Sequence, residues 1–129
     1  QDLKRRCEMV RKIQPDCVLS IHQNSYPEEA IHGAQVFYYE DSSEGKKLAE
    51  ILQKHLVEVL DKENHRQAKG NRTYYMLKKT EATLVIVECG FLSNNQEALL
   101  LTDEKYQNKV AKAICSGTLE YLSSLAEKK

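Results

Sequence analysis

The 129-residue sequence has no excess of charge of either sign, because 19 lysines and arginines balance 19 aspartates and glutamates. A nucleic-acid footprint would show as a basic surplus, so this balance argues against that partner class. The short basic clusters Lys4-Arg5-Arg6, Lys46-Lys47 and Lys78-Lys79 read as solvated faces. No apolar run approaches the length of about 20 residues that a membrane-spanning helix needs, and no basic-then-apolar leader is present. The four cysteines, Cys7, Cys17, Cys89 and Cys115, form no CxxC pair, so neither a thioredoxin motif nor a zinc knuckle is written here. Cys7, Cys17 and Cys89 fall in apolar segments, where a cysteine behaves as a small hydrophobe. There is no internal repeat and no low-complexity tract.

What is present is a globular composition, 41% hydrophobic, in a chain long enough to bury a core. The opening DLKRRCEMVRKI reads as a helix with Leu3, Cys7 and Val10 on one face and Met9 and Ile13 beside it, ended by Pro15-Asp16. CVLSIH follows as a strand covered on both faces, and a loop takes residues 23 to 33. AQVFYY reads as a second strand. Asp41 with Glu44 makes a capping box for a helix running to about residue 61, with Leu48, Ile51, Leu52, Val59 and Leu60 on one side. ENHRQAKGNR reads as a polar connection, YYMLK as a brief strand and TLVIVE as a buried one broken by CGFLSNN. Ser93 with Gln96 suggests a second capping box and a short helix to Leu101. Asp103 opens a last helix carrying Tyr106, Val110, Ala113, Ile114, Gly117, Tyr121 and Leu125 at helical spacing. This alternation predicts one α/β domain over residues 1–129, a mixed, mostly parallel sheet covered by helices on both faces.

Two strands end in reactive side chains, His22 after SI and Glu88 after LVIV. Ligand sites in open α/β sheets gather outside the carboxyl ends of strands. If these two strands are parallel neighbours, an imidazole and a carboxylate share one crevice, which suits a metal ligand and a general base acting on water. On the residues alone, His22 can equally be a hydrogen-bonded structural residue and Glu88 an ion-paired carboxylate. His32, His55 and His65 read as solvated or helix-edge residues, and Cys89 as buried structure. Tyr38, Tyr39, Tyr74 and Tyr75 read as packing residues, and Arg66 and Arg72 as surface residues.

SIHQN followed by VECGFLSN resembles the zinc-dependent N-acetylmuramoyl-L-alanine amidases of the amidase-3 type, whose members carry S-I-H-x-N and V-E-x-G-F-x-S-N at about this separation. VECGFLSN, YQNKVAKAI and GTLEYL are most similar to the spore-cortex, germination-specific branch. The resemblance covers nearly the whole chain. It implies hydrolysis of the amide between N-acetylmuramic acid and L-alanine in peptidoglycan, with His22 as a Zn²⁺ ligand and Glu88 as general base on the zinc-bound water. Asn24 matches the motif asparagine, on the substrate side of the site in a loop-fixing role. It also implies an extracytoplasmic place of action, at the cell wall or spore cortex.

One departure bears on all of this. Family members take two further zinc ligands from an earlier G-H-G-G strand end and a following glutamate, and neither motif occurs in this sequence. The chain therefore reads as the carboxyl-terminal portion of the catalytic domain. Its alternative function is that of an inactive fragment, at most binding peptidoglycan or a partner. An uncovered sheet edge would invite dimerisation. TEATLVIVE also lacks the proline often found before the glutamate.

Overall fold

The computed structural model describes residues 2–127. Nine elements follow one another: α1 (Asp2–Ile13), β1 (Val18–Asn24), β2 (Gln35–Tyr39), α2 (Ser43–Leu60), β3 (Lys69–Asn71), α3 (Tyr75–Lys79), β4 (Leu84–Phe91), α4 (Asn95–Leu101) and α5 (Glu104–Glu127). The four strands form one sheet in the order β1-β4-β2-β3. β1 runs parallel to β4 and β3 parallel to β2, whereas β2 is antiparallel to β4, so the expected mixed, mostly parallel α/β sheet is what forms.

β4 is the centre of the sheet because its apolar run can be covered on both faces, and all eight of its residues are buried. On one face Val85, Val87 and Cys89 pack with Val36 of β2 beneath Leu48, Leu52 and Leu56 of α2 and Ala113 and Tyr121 of α5. The three α2 leucines are spaced i, i+4, i+8 and are fully buried, each contributing about 1.5–3 kcal/mol of transfer free energy. Gln53, buried among them, donates to Ala34 O and accepts from Val36 N, which pins α2 to β2. On the other face Leu84 and Ile86 meet Cys7 of α1 and Met76 and Leu77 of α3.

Several local expectations are corrected. β1 is an edge strand rather than one covered on both faces. Its residues are half-buried at best, and Ile21 is 57% exposed. α1 buries only Cys7 completely, leaving Met9 and Ile13 largely in solvent, since a single short helix lies over that part of the sheet. YYMLK is helical as α3 instead of a strand, and a short strand, β3, forms inside the polar connection by pairing with β2. β1 and β4 each run past the predicted ends, to Asn24 and Phe91. The α2 cap is Ser42, whose Oγ accepts from Gly45 N, because Asp41 is engaged by Arg72 from a different segment. The α4 cap is Asn94, whose Oδ1 accepts from Glu97 N, one residue later than the predicted Ser93–Gln96 pair. Among the described residues no helix is long and apolar enough to cross a membrane.

Candidate active site

The parallel pairing of β1 with β4 sets Val18 opposite Leu84, Ser20 opposite Ile86 and His22 opposite Glu88. Paired residues in neighbouring strands lie about 4.8 Å apart and project to the same face. Val18, Leu84 and Ile86 belong to the α1/α3 side, so Ser20, His22 and Glu88 project there too, beyond the end of that apolar cluster. The register slips after His22, and Asn24 comes opposite Phe91. The histidine and the glutamate that the sequence separates by two helices and two strands are therefore direct neighbours toward the carboxyl ends of parallel strands.

Glu88 is 7% exposed, and its Oε2 is a buried oxygen with no hydrogen-bond partner. Burial pushes its carboxyl above the ordinary value, an effect that His22 partly opposes. Such a group is a better proton acceptor than a solvated carboxylate, which is the property a general base for water requires. His22 itself is solvent-exposed, and its Nε2 lies 2.7 Å from Ser20 Oγ. The tautomer is set by which of the two donates. Across the other flank Gln35 of β2 is the register partner of Glu88. Its Nε2 donates to Gln67 O and its Oε1 accepts from Arg66 Nη1, so the amide is held from β2's far side. Tyr74 stands close enough to Glu88 for the carboxylate charge, after burial, to help push its phenol up.

Asn24 is half-buried and turned to its own loop. Its Oδ1 accepts from Ser25 N at 2.8 Å, and its carbonyl accepts from Leu92 N at 2.8 Å. The remaining candidates fall outside this cluster. Cys89 projects to the opposite face, into the α2/α5 core, and burial with the Glu88 charge pushes its thiol up to about 11. A thiol of that pKa is almost wholly protonated near neutrality, so Cys89 is structural. His55 Nε2 lies 2.9 Å from Glu120 Oε1 on the α2/α5 surface, and His32 and His65 are exposed. Tyr38, Tyr39 and Tyr74 pack on the cores, while Tyr75 is 38% exposed. Arg72 forms ion pairs with Glu40 and Asp41. Arg66 donates from Nε to His32 O and lies 5.0 Å over the Phe91 ring, which fixes it more firmly than a solvated surface arginine.

A catalytic zinc centre takes three protein donors and keeps one position open. Among the described residues no three histidine, cysteine, aspartate or glutamate side chains come together. The unpartnered Glu88 oxygen beside an exposed imidazole suits the rim of such a centre, but the residues present do not amount to a complete donor set. His22 and Glu88, singled out from the sequence, are the pair that the strand register brings side by side. Sequence reasoning missed Ser20, whose hydroxyl lies two residues before His22 on the same face of β1, and Gln35, whose place beside Glu88 is set by strand register.

The chain is 36% identical over 123 residues to the germination-specific N-acetylmuramoyl-L-alanine amidase of Bacillus subtilis, covering 95% of this chain and 52% of that protein. It superimposes on the CwlD amidase of Clostridioides difficile, solved in complex with the GerS lipoprotein, with a TM-score of 0.91 at 42% identity. That match covers 95% of this chain and 62% of the solved one. An N-acetylmuramoyl-L-alanine amidase from Clostridium difficile 630 superimposes with a TM-score of 0.86 at 29% identity, over 95% of this chain and 66% of the other. The chain thus spans from about half to two thirds of the length of these relatives. The family model described as N-acetylmuramoyl-L-alanine amidase matches residues 1–120, nearly the whole chain, and the chain belongs to that family.

Proposed function

We propose that the protein containing this chain is a cell-wall hydrolase that cleaves the amide between N-acetylmuramic acid and the L-alanine of peptidoglycan stem peptides. The observation that carries this reading is the parallel register of His22 with a buried Glu88 whose Oε2 has no partner, in a chain that belongs to the amidase family. Glu88 accepts a proton from water as that water adds to the amide carbonyl carbon. The tetrahedral adduct then collapses with breakage of the C–N bond, and the proton held on Glu88 passes to the departing L-alanine amine. His22 is proposed as one ligand of the family's zinc ion, whose chemistry would be to polarise the scissile carbonyl and acidify water. The other donors of such a centre are not among the described residues. Asn24 supports the substrate side of the site by fixing the start of the loop that leaves β1, its side chain accepting from Ser25 N and its main-chain carbonyl from Leu92 N. The place of action that follows is the cell wall or spore cortex, outside the cytoplasmic membrane.

The test is release of stem peptides with free L-alanine amino termini from purified peptidoglycan by the full-length protein. Glu88→Gln is expected to lower the rate by about 10²–10⁴-fold with the bound metal retained. Full activity in that variant would overturn the assignment of the base. His22→Ala is expected to lose both metal and activity.

A second reading applies to residues 1–129 in isolation, and two observations favour it. No three-donor cluster forms among the described residues, and β1 presents an unpaired edge beside exposed Met9, Ile13 and Ile21. By this reading the isolated chain is inactive and self-associates through that edge. Elemental analysis finding one tightly held zinc per chain, or sedimentation showing a monomer, would count against it.

A further inference from the structure

The loop after His22 and the end of β4 converge on one side chain that the proposed chemistry leaves unused, Glu97 of α4. Both of its carboxylate oxygens lie 3.0 Å from the Gly33 amide, and Oε1 also accepts from the Phe91 amide at 2.9 Å. A glutamate at this helical position commonly reaches back to the amide of its own N-cap residue. Here the Asn94 amide donates to Phe91 O instead, and the Glu97 carboxylate leaves its helix for two amides elsewhere. Gly33 has φ +107°, a conformation that favours glycine, and an added Cβ would meet Asn64 Oδ1 at 2.9 Å. Gly33 is thus held close and has little freedom to shift.

The residues bound are the informative part. Phe91 lies three residues beyond Glu88 on the same strand, and Gly33 lies two before Gln35, the register partner of Glu88. Arg66 closes the ring: it donates to His32 O, bonds Gln35 Oε1, and stacks over the Phe91 ring. The same loop is fastened again where Tyr26 N donates to Ser93 Oγ and Asn94 Nδ2 to Glu29 O, each at 2.9 Å. All these bonds encircle the carboxyl end of β4.

We infer that Glu97 is a positioning residue for the hydrolysis. By accepting from Gly33 and Phe91 at once, it fixes the end of β4, and through it the Glu88 carboxylate, against the loop that leaves His22. The inference rests on the proposed reading of Glu88 as the base. A carboxylate offers acceptors only, whereas a glutamine in its place would retain one acceptor and turn an NH₂ toward one of the two amides. With the oxygen at the Oε1 position the NH₂ replaces Oε2 and faces the Gly33 N–H, so at nearly constant shape an acceptor is exchanged for a donor against that amide.

The experiment uses the full-length protein with its metal. For Glu97→Gln, kcat per folded, metal-loaded molecule is expected to fall by about 10- to 100-fold with KM within about twofold, as for a misplacement of about 1 Å. Hydrogen exchange should accelerate at the Gly33 and Phe91 amides and not across α2 or α5. Should Glu97→Gln fail to fold, Glu97→Asp, which keeps the charge but withdraws the carboxylate from both amides, is expected to show a fall in kcat of at least the same size. A merely structural role would lower the melting temperature and the folded fraction while leaving kcat per folded molecule at the wild-type value, and that result overturns the inference. Glu88→Gln is measured alongside. If it abolishes turnover while the Glu97 variants that fold stay within about twofold of wild type, the positioning role alone is overturned. If Glu88→Gln retains full turnover, the reading of the base fails and takes the positioning role with it.

Discussion

The two faces of the sheet are built differently. On one, helices of 18 and 24 residues lie along the strands and bury Leu48, Leu52, Leu56, Val85, Val87 and Tyr121 to 1% exposure or less. On the other, α1 and the five-residue α3 cover the amino-terminal halves of β1 and β4 with a smaller cluster of Cys7, Met76, Leu77, Leu84 and Ile86. The carboxyl ends of β1 and β4 extend past that cover, and there His22 and Glu88 stand. A continuous helical layer is what removes water from apolar surface, and stability follows the area removed. An incomplete layer leaves room for a ligand and strands a polar oxygen without a partner. The thick face supports the fold, and the thin face is where the proposed chemistry is placed.

Three measurements would break or sharpen this contrast. The largest effect is expected from Leu52→Ala, under the α2/α5 layer, which should destabilise by about 4–5 kcal/mol in urea titrations, near the top of the range for such truncations. Met76→Ala on the thin face should cost less, about 2–3 kcal/mol, because a five-residue helix can settle into the space left behind. Equal losses at the two sites would show that the faces do not differ in rigidity. The smallest effect on stability is expected from Glu88→Gln, which should raise it by up to about 1 kcal/mol at neutral pH while lowering the hydrolysis rate by about 10²–10⁴-fold. Burying an amide is less costly than burying a carboxylate with an unpartnered oxygen. A clear loss of stability in that variant would mean that Glu88 helps hold the fold, and that chemistry and packing are not divided between the faces.

Much of the architecture was legible in the chain. The run Leu84-Val85-Ile86-Val87 could be nothing but a buried strand, and the leucines of α2 and the apolar positions of α5 declare their buried stripes by helical spacing. The misjudged places are those where a distant partner decides. Asp41 and Ser42 are both competent caps, and the choice falls to Ser42 because Arg72, just past the end of the neighbouring strand β3, binds Asp41. KGN has no strand pattern of its own and becomes β3 by pairing with Tyr38 and its neighbours. CVLSIH has the composition of a covered strand, yet its position at the sheet edge leaves Ile21 exposed.

The candidate site divides the same way. That His22 and Glu88 carry reactive groups at strand ends was written in the sequence, because an apolar run closing on a titratable residue is a local pattern. Sequence alone also determined the α/β class and the family, through composition, periodicity and the two short motifs. Tertiary structure alone decided that the two strands are adjacent and parallel, that the register sets His22 opposite Glu88, and that Glu97 binds two amides instead of capping its own helix. Strand order and register are set by how whole faces pack and by bonds between segments tens of residues apart, and no local pattern encodes them.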